Sequence, residues 1–206
     1  MNAREYIRKN ANIPNLLTLL RLLLVPVYVV LFAKGRKYPA LAVFLAACLT
    51  DLFDGFLARK LNQITNFGKL VDPFADKVMV LTAMFSMTIG NSKIPQVIPW
   101  EATVLLLLKE AVMVVGGLIM LKHGIVVYSS MIGKTAHCVF IGALVATYFH
   151  EFLSGALPTW LMSPDLILVW LAVALTLCAM VFYVIDSIRK ARALGIIGHA
   201  KEKAQP

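Results

Sequence analysis

Residues 51–76 read DLFDGFLARKLNQITNFGKLVDPFAD, and this stretch lies between two long apolar runs. It contains four of the chain's eleven acidic residues, Asp51, Asp54, Asp72 and Asp76. The first two are spaced i, i+3 and the last two i, i+4, so each pair shares one face of a helix. If the polar turn between the pairs folds the two helices back antiparallel, the acidic faces meet. The stretch therefore predicts a helical hairpin with four converging carboxylates.

The apolar runs around this hairpin are long enough to cross a bilayer. The 206-residue chain is 60% hydrophobic and 15% charged, whereas about a quarter of the residues in soluble domains are charged. A spanning helix needs about 20 predominantly apolar residues. The sequence predicts an all-α integral membrane protein that forms a single domain over residues 1–206. Its expected parts are a short interfacial segment at 1–12 and six transmembrane helices at about 13–33, 39–60, 70–90, 97–121, 133–154 and 165–188.

The distribution of Lys and Arg predicts how these helices are oriented. With the N-terminus inside, most cations of the turns and termini face the cytoplasm, and the opposite side receives Lys34, Arg36, Lys37 and Lys93. Short cytoplasmic loops carry the excess of Lys and Arg in membrane proteins. Both termini and the acidic hairpin are therefore expected at the cytoplasmic side of the cell's inner membrane. The net charge of +9 does not indicate nucleic-acid binding, because no continuous basic face exists in the sequence.

Four carboxylates in one hairpin indicate a metal site. Close together in or near a membrane, they repel one another unless cations lie between them. Hard oxygen ligands with no His or Cys nearby select Mg²⁺ or Mn²⁺ over Zn²⁺. Such a set can hold two ions about 3.5–4 Å apart, which suits a diphosphate ligand. We therefore expect Asp51, Asp54, Asp72 and Asp76 to ligate two divalent ions.

Small residues and a cation accompany the acids. Gly55 and Gly68 remove side-chain bulk from the two helices, and Ala58 follows Gly55 on the same face. Glycine weakens a helix, so we expect a ligand to approach the backbone closely at these positions. Arg59 stands at the mouth of the hairpin, where its charge would meet phosphate oxygens.

A second polar motif opens the first predicted span. In residues 13–21, IPNLLTLLR, the polar residues Asn15, Thr18 and Arg21 recur at intervals of three, so they share one side of the helix. The residues alone leave two interpretations. They form a ligand site, or they are an N-capping Asn, a Thr bonded to the backbone and an Arg that extends towards the membrane surface.

Together, these residues resemble a known family, the CDP-alcohol phosphatidyltransferases. The family signature D-x2-D-G-x2-A-R-x8-G-x3-D-x3-D is filled at every specified place by Asp51, Asp54, Gly55, Ala58, Arg59, Gly68, Asp72 and Asp76. The resemblance implies a homodimeric membrane enzyme that binds CDP-diacylglycerol. An acceptor hydroxyl attacks the lipid-side phosphorus in a metal-dependent reaction, and CMP leaves. It also implies that Asp76 is the general base and touches a metal, and that the CDP-lipid is bound by Asn15, Thr18, Arg21, Gly55, Ala58, Arg59 and Gly68.

Two features bear on the acceptor alcohol. The opening IPNLLTLLR and the run GKLVDPFADK at 68–77 are most similar to family members that use glycerol 3-phosphate. Those members carry Arg-Glu in the fourth span and another Arg about two turns later, whereas this chain has Lys109-Glu110 and then Gly116-Gly117. Because Arg is the better phosphate clamp, phosphatidylglycerol, which would give cardiolipin, is an alternative acceptor.

The later spans add weaker signals. Lys109 and Lys134 are candidate acceptor ligands, although the positive-inside rule explains Lys134 equally well. Adjacent residues do not share a helix face, so Glu110 is no automatic partner for Lys109. Both ions are costly in lipid, so we expect them to face the interior of the helix bundle. Asp186 and Lys190 are spaced i, i+4 and predict a helix-surface ion pair.

An ion-coupled transporter is the alternative from another functional class, since acids inside spans occur there too. Transporter sites tend to lie between paired halves of the chain. All four acids of this hairpin fall in one half, and no matching pair follows them, so the sequence favours the enzyme.

Overall fold

The computed structural model describes residues 13–60, 66–122, 131–155 and 162–193, without the side chains of 13–15, 52–60, 66–74, 76, 121 and 193. The described residues are helical and contain no strand, which confirms the all-α prediction for them. The predicted interfacial segment, residues 1–12, lies outside the residues that the structure describes. The helices are α1 (Ile13–Ala33), α2 (Lys37–Lys60), α3 (Asn66–Ile89), α4 (Trp100–Lys122), α5 (Met131–Thr147), α6 (His150–Ser154) and α7 (Pro164–Ala193).

Three of the described helices have the length and composition of membrane spans. The apolar windows are Leu16–Ala33 in α1, Trp100–Met120 in α4 and Pro164–Arg192 in α7. Shorter apolar segments occur at Lys77–Ile89 in α3 and over the whole of α5. Large apolar side chains are exposed along α1, α4 and α7, as expected for helices that are solvated by lipid. These features support a membrane protein, and the total of six spans stays a prediction.

α7 is longer than the predicted span. The prediction ended the span at residue 188, where the apolar run stops, but α7 continues to Ala193 with Lys190 and Arg192 in its last turn. Cations near a helix C-terminus interact favourably with the helix dipole. Hydropathy therefore marks the end of the apolar segment and not the end of the helix.

The predicted span at 133–154 is divided into α5 and the short α6. The backbone N–H groups of Tyr148 and Phe149 donate to the carbonyls of Val145 and Ala146, three residues back. Such bonds tighten the last turn of a helix and commonly end it. The sequence carries no Gly or Pro at this break, so the prediction missed it.

Contacts divide the chain into two compact units, residues 1–97 and 98–206. In the first unit, α1 packs against both α2 and α3, which also contact each other. The core of this unit includes the fully buried side chains of Tyr28, Phe44 and Met84. Because α1 touches both neighbours, it brings the motif near its N-terminus within reach of the helix that carries the first two acids.

A set of hydrogen bonds from the Asn91 side chain fixes the end of the first unit that lies after α3. The Asn91 side chain donates from Nδ2 to the carbonyl oxygen of Phe32 at 2.6 Å. Its Oδ1 accepts the backbone N–H groups of Lys93 and Ile94, each at 2.8 Å. The segment after α3 is thereby tied to the last turn of α1.

In the second unit, α7 packs against α4, α5 and α6. Leu144 of α5 and Val169 and Ala172 of α7 are almost completely buried. The long α7 is therefore the element on which the other helices of this unit assemble.

Candidate active site

The predicted acids lie on two helices that contact each other. Asp51 and Asp54 belong to α2, and Asp72 and Asp76 belong to α3. The helical backbone at these positions preserves the spacing on which the prediction rests. Asp51 has a described side chain, and the meeting of the four acids stays a prediction. The predicted residues whose side chains lie outside the described set are Asn15, Asp54, Gly55, Ala58, Arg59, Gly68, Asp72 and Asp76.

Arg21 and Asp51 form an ion pair between α1 and α2. Arg21 Nη1 lies 2.8 Å from Asp51 Oδ1, and the arginine side chain is 1% exposed while the aspartate is 38% exposed. A guanidinium removed from water requires a charged or hydrogen-bonding partner. The partly exposed carboxylate supplies that charge and still faces solvent on one side.

This contact joins two motifs that lie in separate segments of the sequence. Arg21 belongs to the IPNLLTLLR segment, and Asp51 is the first acid of the hairpin. Thr18, three residues before Arg21, is also buried, with 2% of its surface exposed. The interpretation of Arg21 as an arginine extending to the membrane surface is therefore wrong. Its side chain points into the first unit, towards the acidic helix.

The carboxylate of Asp51 can bind a cation while it is paired with Arg21. A carboxylate has two oxygens with about four lone-pair sites. The contact with Arg21 uses one oxygen, so the other is chemically able to ligate a hard cation such as Mg²⁺ or Mn²⁺. Among the side chains that the structure describes, no group of three or more His, Cys, Asp or Glu residues has a metal-binding arrangement. Three of the four predicted ligands fall outside that set.

Lys109 and Glu110 pair with each other on α4, a contact that their spacing did not predict. Lys109 Nζ contacts Glu110 Oε1, and both side chains are largely buried. Adjacent residues diverge at Cβ, but the long lysine stem can bend back across the helix surface. In an apolar environment, two unpaired ions cost more free energy than this bend of the lysine side chain. Neighbouring residues such as Lys109 and Glu110 can therefore form an ion pair. The second acceptor candidate, Lys134, is exposed near the start of α5.

Two other charged contacts lie in the second unit. Asp186 and Lys190 on α7 form the predicted ion pair, with Lys190 Nζ 2.7 Å from Asp186 Oδ2. Sequence reasoning missed the pair of His150 Nδ1 and Asp165 Oδ2, also at 2.7 Å, in which the aspartate is fully buried. These residues are 15 positions apart in the sequence, and no spacing rule connects them. The contact holds α6 to the first turn of α7.

The residues of both polar motifs fall inside one stretch of sequence similarity. A model of the CDP-alcohol phosphatidyltransferase family matches residues 11–186, which is most of the chain. The chain belongs to this family. It is therefore a CDP-alcohol phosphatidyltransferase, a transferase of phospholipid biosynthesis, and the resemblance seen in the sequence is confirmed.

Two relatives of this CDP-alcohol phosphatidyltransferase carry more specific names. A Mycobacterium tuberculosis protein called probable phosphatidylglycerophosphate synthase is 36% identical over 200 residues, which cover 94% of this chain and 87% of the relative. An Escherichia coli protein called CDP-diacylglycerol--glycerol-3-phosphate 3-phosphatidyltransferase is 49% identical over 80 residues. That match covers 37% of this chain and 44% of the relative.

Proposed function

We propose that this CDP-alcohol phosphatidyltransferase transfers the phosphatidyl group of CDP-diacylglycerol to glycerol 3-phosphate, forming phosphatidylglycerophosphate and releasing CMP. The supporting observation is the similarity, along nearly the whole chain, to a relative named for the same product. The Escherichia coli relative, whose name gives both donor and acceptor, adds to this support over a shorter stretch.

The first unit would bind the donor. Arg21 is buried beside Asp51, so its positive charge is held in place before the diphosphate arrives. Around it, the residues that we assign to CDP-lipid binding are Asn15, Thr18, Arg21, Gly55, Ala58, Arg59 and Gly68. The two glycines would let the nucleotide approach the helix backbone, and Arg59 would meet a phosphate oxygen.

Two divalent ions complete the proposed site. The family is generally dependent on divalent metals, and the acidic donors suit Mg²⁺ or Mn²⁺. When bound, the ions would neutralise the diphosphate and stabilise charge on the departing CMP. We assign Asp51, Asp54, Asp72 and Asp76 as their ligands.

Asp76 is the proposed general base. The acceptor oxygen forms a bond to the lipid-side phosphorus, the bond from that phosphorus to the CMP oxygen breaks, and the acceptor proton passes to the Asp76 carboxylate. A carboxylate at this place serves both as base and as metal ligand, as the family resemblance implies. Proton removal in the transition state contributes about 10²- to 10⁴-fold to rate in enzymes generally.

The acceptor phosphate is assigned to Lys134 and, more weakly, to Lys109. The positive charge of Lys109 is already compensated by Glu110, which reduces its attraction for a phosphate. Lys134 is exposed on α5, and among the described contacts no acidic side chain compensates its charge. We therefore expect Lys134 to contribute more to the affinity for glycerol 3-phosphate.

The proposed arrangement in the cell is a homodimer in the inner membrane, with six spans, one catalytic domain over 1–206, and the active site facing the cytoplasm. The positive-inside distribution of Lys and Arg supports this orientation. The family match runs across the boundary between the two compact units, which supports one functional domain. The mass of the purified protein in detergent, corrected for bound detergent, tests the dimer.

An acceptor screen tests the function. Purified protein receives CDP-diacylglycerol and Mg²⁺ or Mn²⁺ with either glycerol 3-phosphate or phosphatidylglycerol, and CMP and the lipid product are measured. We expect CMP release that depends on glycerol 3-phosphate and yields phosphatidylglycerophosphate. Release that depends on phosphatidylglycerol and yields cardiolipin would replace this acceptor assignment. No release with any alcohol would contradict the donor assignment as well.

A further inference from the structure

Two turns at the same end of the first unit carry cations. The turn between α1 and α2 contains Lys34, Arg36 and Lys37, and the segment after α3 contains Lys93. The hydrogen bond from the Asn91 side chain to the last turn of α1 holds these two turns beside each other. The exposed members of the set form a surface that we call the basic patch, which consists of Lys34, Arg36 and Lys93.

Gly35 allows the two turns to approach closely enough to form this patch. It has φ of +72°, and a Cβ at this position would lie 2.7 Å from Lys93 Cβ and 3.0 Å from Lys93 Cγ. Only a residue without a side chain fits there. The stem of Lys93 therefore lies against the residue that separates Lys34 from Arg36, which adds the charge of the second turn to the charges of the first.

The basic patch lacks an acidic partner in the part of the chain that the structure describes. Residues 33–40 and 90–99 contain no Asp or Glu. Lys34, Arg36 and Lys93 form no ion pair with a described carboxylate. Like charges that the fold holds near one another repel. An anion bound between the two turns would remove this repulsion.

The patch lies at the depth of the lipid phosphates. The apolar window of α1 ends at Ala33, directly before Lys34. The apolar segment of α3 ends at Ile89, four residues before Lys93. Tyr38, at the start of α2, is 60% exposed and is of a residue type that is enriched where a membrane meets water. The phosphates of the bilayer are therefore the anions nearest to the patch.

The topology of the chain does not account for these cations. The overall distribution of Lys and Arg assigns both turns to the outer side of the membrane, where short loops usually carry few cations. The turn at 34–37 nevertheless has three cations in four residues. A cluster that opposes the general trend indicates that its charge is used at this surface.

We propose that the basic patch binds the phosphate of one anionic glycerophospholipid in the adjacent leaflet. Lys34 and Arg36 approach the phosphate from one turn and Lys93 from the other, so the lipid ties the two turns together. Arg36 can donate two hydrogen bonds to phosphate oxygens. Asp51 lies fourteen residues after Lys37 on α2, about 21 Å along the helix axis. The bound lipid is therefore separate from the proposed donor site and is not consumed.

Thermal unfolding of the purified full-length protein tests the proposal. The protein is titrated in nonionic detergent with phosphatidylglycerol or phosphatidylcholine, in the presence of a chelator and without CDP-diacylglycerol. We expect half-maximal stabilisation at a concentration of phosphatidylglycerol at least about tenfold lower, because each cation near an anionic lipid contributes about fivefold. About 1 M salt, at which the Debye length is about 3 Å, should reduce this preference below about threefold. The readout needs no turnover, so its failure is distinct from failure of the proposed function.

Matched variants locate the lipid. Replacing the three residues of the basic patch by Gln keeps their stems, removes their charge and should abolish the preference for phosphatidylglycerol. The control replaces three exposed cations of the second unit by Gln and should keep the preference within about twofold of wild type; its positions are Lys122, Arg189 and Arg192. If the triple patch variant does not fold, Lys93→Gln alone should reduce the preference about fivefold.

Inorganic phosphate distinguishes a lipid headgroup from a free anion. At the same concentrations it should not stabilise the protein, because it has no acyl chains to hold it at the membrane surface. Equal stabilisation by inorganic phosphate would overturn the assignment to a lipid. Equal half-maximal concentrations of the two lipids would remove the role of the cations. An unchanged preference in the patch variants, or its loss in the control variant, would place the lipid elsewhere on the protein.

Discussion

At the scale of single residues, the contact between Arg21 and Asp51 carries the most information about the site. It joins an arginine that is 1% exposed to a carboxylate that is 38% exposed. The pair places a positive charge beside the first acid of the proposed metal-binding motif. In the proposed mechanism, Arg21 would have two roles, since it would hold Asp51 in position and attract the diphosphate of the donor.

The first prediction concerns the stability that this pair provides. Loss of one partner of a buried pair costs about 3–5 kcal/mol, and because Asp51 is partly exposed we expect Arg21→Met to cost about 2 kcal/mol. The measurement is the thermal unfolding of purified protein in detergent. Arg36→Met, at an exposed arginine in the turn after α1, is the control and should change stability by no more than about 0.5 kcal/mol.

A double-mutant cycle identifies the partner. If Arg21 and Asp51 interact directly, the effects of Arg21→Met and Asp51→Asn should deviate from additivity by about 0.5–3 kcal/mol. Simple addition of the two effects would show that Arg21 is stabilised by other groups.

The second prediction separates proton transfer from metal binding. Asp76→Asn removes the proposed base and should lower the turnover rate about 10²- to 10⁴-fold. Metal-dependent binding of CDP-diacylglycerol should persist, because three acidic ligands remain. CMP release and binding of a labelled CDP-lipid are measured on the same preparation. Asp186→Asn, which removes a half-exposed carboxylate of a surface pair, should retain wild-type activity. Loss of binding together with turnover in Asp76→Asn would assign Asp76 to ligation alone.

At the scale of helices, apolar length predicted the elements well and their ends less well. The predicted and observed bounds of α1 agree, because an apolar run starts and stops there with the helix. α3 begins at Asn66, before the predicted start at residue 70, because Asn66, Gly68 and Lys69 interrupt the apolar run but are still helical. Hydropathy measures solubility in lipid, and hydrogen bonding decides where a helix ends.

The site was predictable in composition and only partly in geometry. Spacing along one helix identifies which residues share a face, so Thr18 and Arg21 could be grouped before the structure was known. It does not identify the neighbouring helix, so the pairing of Arg21 with Asp51 required the packing of α1 on α2. The contact of Lys109 with Glu110 escaped prediction for another reason, because a long side chain can cross between faces.

The third prediction belongs to the turn after α3. Gly90 has φ of +67°, and a Cβ there would lie 2.7 Å from the backbone nitrogen of Gln96 and 2.9 Å from the carbonyl oxygen of Ile94. Gly90→Ala should therefore destabilise the protein by at least about 2 kcal/mol, because a left-handed conformation and a backbone clash act together. Thermal unfolding in detergent provides the measurement.

A helical glycine is the matched control for that change. Gly142 lies within α5, and an added Cβ meets nothing within 4 Å. Gly142→Ala should be neutral or stabilise the protein by about 0.5–1 kcal/mol, since alanine restricts the unfolded chain. An equal loss of stability in both variants would mean that the conformation at Gly90 does not decide the result.

At the scale of the whole molecule, the two compact units differ in what they contribute. The four acids and the residues proposed to bind the CDP-lipid belong to residues 1–97, whereas both acceptor candidates belong to residues 98–206. A single orientation of the chain in the membrane therefore has to suit both the proposed donor residues and the proposed acceptor residues.

The fourth prediction tests this orientation. In a variant without the native cysteines, single cysteines are introduced as Ser92→Cys, Ser154→Cys and Lys122→Cys, all at exposed positions. With both termini in the cytoplasm, the cysteines at positions 92 and 154 lie on the outer side of the inner membrane. The cysteine at position 122 faces the cytoplasm. A membrane-impermeant maleimide should label Ser92→Cys and Ser154→Cys in intact spheroplasts, and Lys122→Cys only after lysis. Labelling of Lys122→Cys before lysis would place the cations of α4 on the outer side, and the acceptor site could then not draw on cytoplasmic glycerol 3-phosphate.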